Sequence, residues 1–290
     1  MTTTREPIPD TVPQRSVPVR RMRFTHPQGA LKRHYADGDL VMSHLVSVLS
    51  ATFPPGEDFF VRSVRHYRDQ ITDPELAAQV RGFIGQEVVH GREHDNLNKI
   101  LRGMGYPTHW THRAIKRWLK LADRTLPPSV RLGFTAGLEH YTATIAEQLL
   151  TSHRAQALLG DNQARNILLW HALEESEHKA VAFDVYRAVG GTENMRIATM
   201  RVISTLLIVH VISGTALSVL TDRAAYNPVR LARSLARLPR SPFLEREVIR
   251  RLRAYNRPGF HPDDHDSSDL LARWQAELFG PEGSLTDQMR

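Results

Sequence analysis

The stretch LLWHALEESEHKAVAF (168–183) decides how this chain folds. Two histidines and three glutamates fall within the eight positions 171–178, in a segment whose other residues are those of a buried helix. His171, Glu175 and His178 are spaced four and three apart. At about 100° per residue they occupy roughly 60° of helical arc, so the three side chains reach one point.

The stretch 72–105 repeats the theme. Glu87 and His90 form a second Glu-x-x-His pair, and His94 lies one turn further along the same face. Two lone acids interrupt apolar faces elsewhere: Glu57, three and four residues before Phe60 and Val61, and Glu139, in line with Leu132, Ala136, Ala143, Ala146 and Leu150. Burying four unpaired carboxylates costs many kcal/mol or forces them to protonate. Two divalent cations offset four glutamates, and neutral imidazoles add donors without charge. Two Glu-x-x-His pairs plus one glutamate from each of two further helices form the ligand set of carboxylate-bridged two-metal sites in helical bundles. The expected ligands are Glu57, Glu87, His90, Glu139, His171, Glu175 and His178, which are also the expected catalytic groups apart from His171. His94 is either a ligand or an outer residue holding a carboxylate. Glu93, His140, Glu174 and Glu177 point off the inferred face and read as solvated or outer residues.

The rest of the chain reads as helix after helix, which predicts an all-α fold. A first helix over 39–53 is expected to stop at Pro54 and Pro55, with a second following them. Further helices are expected over 72–105, 110–125 and 128–151. Another is expected from a cap at Asp161 or Asn162 to Gly190 and Gly191, then one over 202–220 and a short last one around 270–278. The domain reading is an extended, proline-containing N-terminal arm (1–36), a helical bundle (37–222) and an Arg-rich helical extension (223–290). The 290 residues include no cysteine, which excludes disulfides and thiolate ligands. Mixed carboxylate and imidazole ligands favour a pair of iron ions, with manganese or zinc as alternatives.

The net charge of +7 is concentrated in 223–257, where ten arginines meet two acids. That block is either a solvated helical face or a site for an anionic surface. The segment 202–220 carries no formal charge over 19 residues, close to the roughly 20 that cross a hydrocarbon core. Its first reading is a fifth helix buried on the bundle; the second is a helix seated in lipid. The expected partners are a small-molecule substrate, apolar in one reading, an electron donor, and a membrane surface met through 202–257. A homo-oligomer is compatible with the sequence, and nucleic acid is disfavoured because no recognition motif accompanies the arginines. No secretory signal precedes the helices, so the expected location is cytoplasmic, with membrane association if the lipid reading holds. FHPDDHD (260–266) reads as a structural turn or lid rather than a second metal site.

At its glutamates and histidines the sequence resembles the ferritin-like di-iron carboxylate superfamily over roughly 53–189. The resemblance implies a four-helix bundle with metals at its centre and additional helices around it. The extra histidine in HALEESEH (171–178) is similar to the additional ligand of di-iron arylamine N-oxygenases. FFVRSVRHYRDQITDPEL (59–76), GFIGQEVVHGREH (82–94) and YNRPGFHPDDHD (255–266) resemble a bacterial family of predicted metal-dependent hydrolases over nearly the whole chain. The first resemblance implies oxidation of an organic substrate by dioxygen. The second implies hydrolysis by metal-activated water, to which a His94-Asp95 dipeptide adds support. A metal-handling bundle without catalysis is the third class.

Overall fold

The computed structural model describes residues 16–25, 29, 31–160 and 162–290. Within them the fold is all-α and no strand forms; a single antiparallel bridge, Met22 to Met289, joins the two ends of the described chain. The helices are α1 (Leu40–Arg65), α2 (Pro74–Gly103), α3 (Thr108–Thr125), α4 (Pro128–Thr151), α5 (His153–Ala157), α6 (Gln163–Glu177), α7 (Val181–Ala188), α8 (Glu193–Leu220), α9 (Pro228–Arg237), α10 (Arg246–Ala254) and α11 (Ser268–Phe279). Their starts follow local chemistry. Asp39, Asp73, Asn162 and Thr192 each accept a backbone N–H of the following first turn, and Pro74 occupies the position where no N–H is needed. Asp161 lies outside the described residues. After α2 the chain reverses at Gly105, whose φ of +91° suits glycine.

Four segments share one pattern along the face they turn inward. On α2, Leu76, Val80 and Phe83 are apolar, Glu87, His90 and His94 are polar, and Leu97 and Leu101 are apolar again; all are buried. On α4 the order is Leu132 and Ala136, then Glu139, then Ala146 and Leu150. Met42 and Val46, then Glu57, then Phe60 and Val64 repeat it on α1. Ile167 and Trp170, then His171 and Glu175, then Val181 and Val185 repeat it through α6 and α7. The core is therefore two hydrophobic clusters separated by a polar layer. Each large apolar side chain in those clusters contributes roughly 1.5–3 kcal/mol by leaving water. Each unpartnered carboxylate between them costs energy on a similar or larger scale.

Three expectations are corrected. Pro54 and Pro55 do not end a helix; they sit inside α1. Proline at 54 removes the N–H that would bond the Ser50 carbonyl. Asn98 Nδ2, from α2, donates to that carbonyl at 2.9 Å instead. The helix expected from 162 to 191 is broken at 178–180, where His178 has φ −105° and ψ 9°. The break lets Lys179 reach Glu147 Oε1 at 3.0 Å and Ser267 Oγ at 2.7 Å while α7 packs in the second cluster. The apolar helix over 202–220, expected to be buried, is the outer part of α8, and only 17% of its most apolar window is buried.

Of the N-terminal arm, 1–15 lies outside the described residues, and 16–25 is non-helical and lies on α2 and α6. A Cβ at Gly82 or Gly85 would collide with Val17 or Val19, so those two glycines let the segment approach closely. The residues after 223 form α9 against α1, α10 against α4 and α11 against α6. FHPDDHD forms a 3-10 turn (Pro262–Asp264) with a capping box at His261, as expected of a structural turn.

Asn98→Ala is expected to lower stability by about 1–3 kcal/mol, because the Ser50 carbonyl then has no donor. In a Pro54→Ala background the same substitution should cost less, and thermal unfolding of the four variants checks the coupling.

Candidate metal centre

The four inward polar positions meet. Glu57 from α1, Glu87 and His90 from α2, Glu139 from α4, and His171, Glu175 and His178 from α6 and the break after it are all at most 3% exposed. Three overlapping groups each bring their donor atoms within 4.8 Å of one another: Glu57, His90 and His171; Glu87, His90 and Glu175; Glu87, Glu139 and His178. Glu175 Oε1 sits between the outer two, 2.8 Å from His171 Nε2, 3.6 Å from His90 Nδ1 and 3.7 Å from His178 Nε2. His178 Nε2 is also 3.2 Å from Glu87 Oε1 and 3.3 Å from Glu139 Oε2. All seven expected residues are thus brought together.

Nine buried atoms of this set have no hydrogen-bond partner: both carboxylate oxygens of Glu57, Glu87 and Glu139, Oε2 of Glu175, Nδ1 of His90 and Nε2 of His178. Buried polar atoms are almost always satisfied. So dense a cluster of orphaned acceptors fits cations that accept lone pairs.

The other nitrogen of each imidazole is occupied. In the tautomers that leave a lone pair facing inward, His90 Nε2–H donates to Glu174 Oε2 at 3.0 Å. His178 Nδ1–H donates to Gln86 Oε1 at 2.8 Å. His171 Nδ1–H donates to His94 Nε2 at 2.7 Å, and His94 Nδ1–H to Ser50 Oγ at 3.0 Å. Such outer partners fix ring orientation and raise donor basicity in metal sites. His94 thus sits behind His171 and holds an imidazole rather than a carboxylate. Glu174 and Glu177, read as solvated or outer, are buried, and so are Glu93 and His140.

Arg20, which sequence reading left in the arm, closes this outer layer. Its guanidinium donates to Glu174 Oε1 at 3.0 Å and to both Glu177 oxygens at 2.8 and 2.6 Å. Gln86 Nε2 donates to Glu177 Oε2 at 2.8 Å and to the Pro18 carbonyl at 3.0 Å. The segment is pinned further by Phe24 N–H to Glu93 Oε2 at 3.1 Å and by Arg92 to the Met22 carbonyl. No local motif marks Arg20, because its partners lie more than 150 positions away.

Burial, then the charges of Glu175 and Glu139, pushes Glu57 and Glu87 well above the usual carboxylate range. Burial, then Glu175, pushes Glu139 up to about 7. Glu175 goes the other way: burial opposes ionisation, but His178 beside it and hydrogen bonds from His171 and His178 hold it well below the usual range. Burial also pulls His90 and His94 down, favouring the neutral rings that metal ligation needs. The metal-free centre thus holds protons that cations displace on binding.

A second cluster, His34, His44 and Asp222, is a useful contrast. Its donor atoms also lie within 4.8 Å of one another. Here Asp222 Oδ2 accepts from His34 at 2.8 Å, His44 at 3.1 Å and Arg33 at 3.0 Å, while Ser218 and Arg230 occupy the far ring nitrogens. Nothing is orphaned, and two guanidiniums stand where a cation would be repelled. This cluster reads as a latch between the N-terminal segment, α1, the end of α8 and α9. A cleft of about 670 Å³ lies beside α4 and α10 and is lined by His140 and Lys179, the chain neighbours of Glu139 and His178. Glu147 inside it is neutralised by Lys179 and Arg251.

A family model described as predicted metal-dependent hydrolase matches residues 18–266. The chain belongs to that family. The matched span takes in the seven converging residues, Arg20, and the 260–266 turn of this metal-dependent hydrolase family member. Comparisons with curated proteins and with solved structures give no significant match.

Glu175→Ala is expected to fold, by helical circular dichroism, and to lose half or more of its bound metal by elemental analysis. Arg20→Ala should keep its helical signal and bind metal about tenfold to a hundredfold more weakly, as outer-partner removal does elsewhere. Competition against a chelator reads the difference.

Proposed function

We propose that this chain is a two-metal enzyme of ferritin-like architecture, with iron as the favoured pair, that uses dioxygen to oxidise a small or apolar organic substrate. The observation that carries the metal pair is the set of nine orphaned donor atoms on six residues, joined by His171, from four chain segments. Glu57, Glu87, His90, Glu139, His171, Glu175 and His178 would hold the ions between them, and Glu87 and His90 each belong to two of the three groups. The bound ions supply dioxygen activation and Lewis acidity.

The residues do the rest. Four carboxylates match the charge of two divalent ions, and three imidazoles complete the donors without adding charge. Glu174, His94 and Gln86 orient the rings. Phe53 packs its ring 4.7 Å from His94 and 4.8 Å from His171, Phe83 lies 4.9 Å from His178, and Trp170 lies 4.9 Å from His90. This aromatic lining keeps bulk water from the centre, which suits oxidation chemistry more than steady delivery of water.

The second reading is hydrolysis, with water activated by two Lewis acids. The family description supports it. The His-Asp pair that favoured it in the sequence does not, because His94 is bonded to Ser50 and His171, and Asp95 is exposed at the surface.

Protein purified without added metal is expected to carry about two iron or manganese ions per chain. Its reduced form, exposed to oxygen, should show a transient visible absorption and consume oxygen. A zinc-loaded protein that is inert to oxygen and cleaves ester or phosphate model substrates would favour the hydrolase reading instead.

A further inference from the structure

Along one side, α8 packs on α1 and α4. Thr199 and Met200 meet Gly133 and Gly137, Gly214 meets Val48, and His210 Nε2 lies 2.9 Å from Thr52 Oγ1. The other side is apolar and bare: Val202, Leu206, Ile208, Val209, Ile212, Leu217 and Leu220 are 50–65% exposed. A contiguous apolar face of this kind on a soluble protein marks an interaction surface. Its hydroxyl groups are spent internally, since Thr205 Oγ1 donates to the Arg201 carbonyl at 3.0 Å and Ser213 Oγ to the Val209 carbonyl at 2.6 Å. Serine and threonine commonly bond back to their own helix in this way, which takes their polarity off the face.

The chain that follows α8 is cationic and amphipathic. Tyr226 is 73% exposed just beyond α8. On α9 Ser234 alone is buried, the exposed sides carry Val229 and Arg233, one turn apart, and Arg240 follows just beyond the helix. The acids nearest in sequence are already paired, Asp222 with Arg33, His34 and His44, Glu245 with Arg154, and Glu247 with Arg250.

We infer that α8 and α9 seat the protein on an anionic lipid bilayer, with α8 lying in the interface and the arginines meeting headgroups. Apolar surface bordered by arginine and an exposed tyrosine is the composition of interfacial helices. A second copy of the chain would also cover the apolar strip, but the cationic run that follows α8 favours an anionic surface as its occupant. Crossing the bilayer would require α8 to leave α1 and α4, against which it is packed from Thr199 to Gly214. The seat does not depend on the metal chemistry, so its failure would leave the proposed function standing.

Flotation with vesicles of phosphatidylcholine, and of phosphatidylcholine partly replaced by phosphatidylglycerol, tests the seat using the full chain. The protein should float with the anionic vesicles and be released in part by salt. Arg233→Glu with Arg240→Glu should weaken binding to those vesicles by about tenfold or more, from the loss of roughly 1 kcal/mol per neutralised cation. Val209→Glu with Ile212→Glu should abolish it, and because these side chains are exposed, helical content and metal content should stay as in the parent. The inference is overturned if the parent stays unbound with both vesicle types. It is equally overturned if the parent is a dimer that the Val209/Ile212 variant converts to monomers while neither form binds vesicles.

Discussion

Four carboxylates share one dry interior site, and the rest of the structure answers to that. Mutual repulsion and lost hydration act together there, so without cations some of the glutamates are held as neutral acids while Glu175 pairs with His178. As arranged, nine polar atoms of these residues have no partner. The layer therefore divides the hydrophobic core in two, and the apolar clusters on either side must supply the stability that the centre withholds. Function would be set against stability here at one place, where bound metal ions would resolve the conflict.

The centre is held from outside by a second set of polar contacts that is almost wholly satisfied. Each imidazole presents one nitrogen inward and anchors the other; the anchors of His90 and His178 are tied to the N-terminal segment through Arg20 and Pro18, and that of His171 to Ser50 of α1. An extended segment without secondary structure of its own thereby becomes part of the metal centre's frame. The fully bonded His34–His44–Asp222 latch has similar residue types and does the opposite job. Orphaned atoms, rather than the presence of histidine and acid, separate a site that needs an ion from one that does not.

The molecule inverts the usual distribution twice, with charge in its middle and an apolar face on its surface. Both features are expensive in water alone. Both would become favourable with an occupant, metal ions inside and, in the proposed seat, lipid outside. α1 and α4, which carry Glu57 and Glu139, also carry α8 on their outer side, so the two features share a scaffold.

The sequence by itself determined the all-α class and the convergent residues, because both are periodic signals written within single helices. Glu57, Glu87, Glu139 and Glu175 were legible as acids on apolar stripes, and the histidines by their spacing of three and four. What only the tertiary structure decided depends on partners far apart in the chain. The Asn98 donor that keeps α1 continuous through Pro54 and Pro55 comes from another helix, so the local rule that proline ends a helix read the site wrongly. The break at His178 follows from where Lys179 and α7 find their contacts. Arg20 is invisible to any local pattern. The exposure of α8 was undecidable in principle from composition, since a helix apolar on all sides reads the same whether protein or lipid covers it.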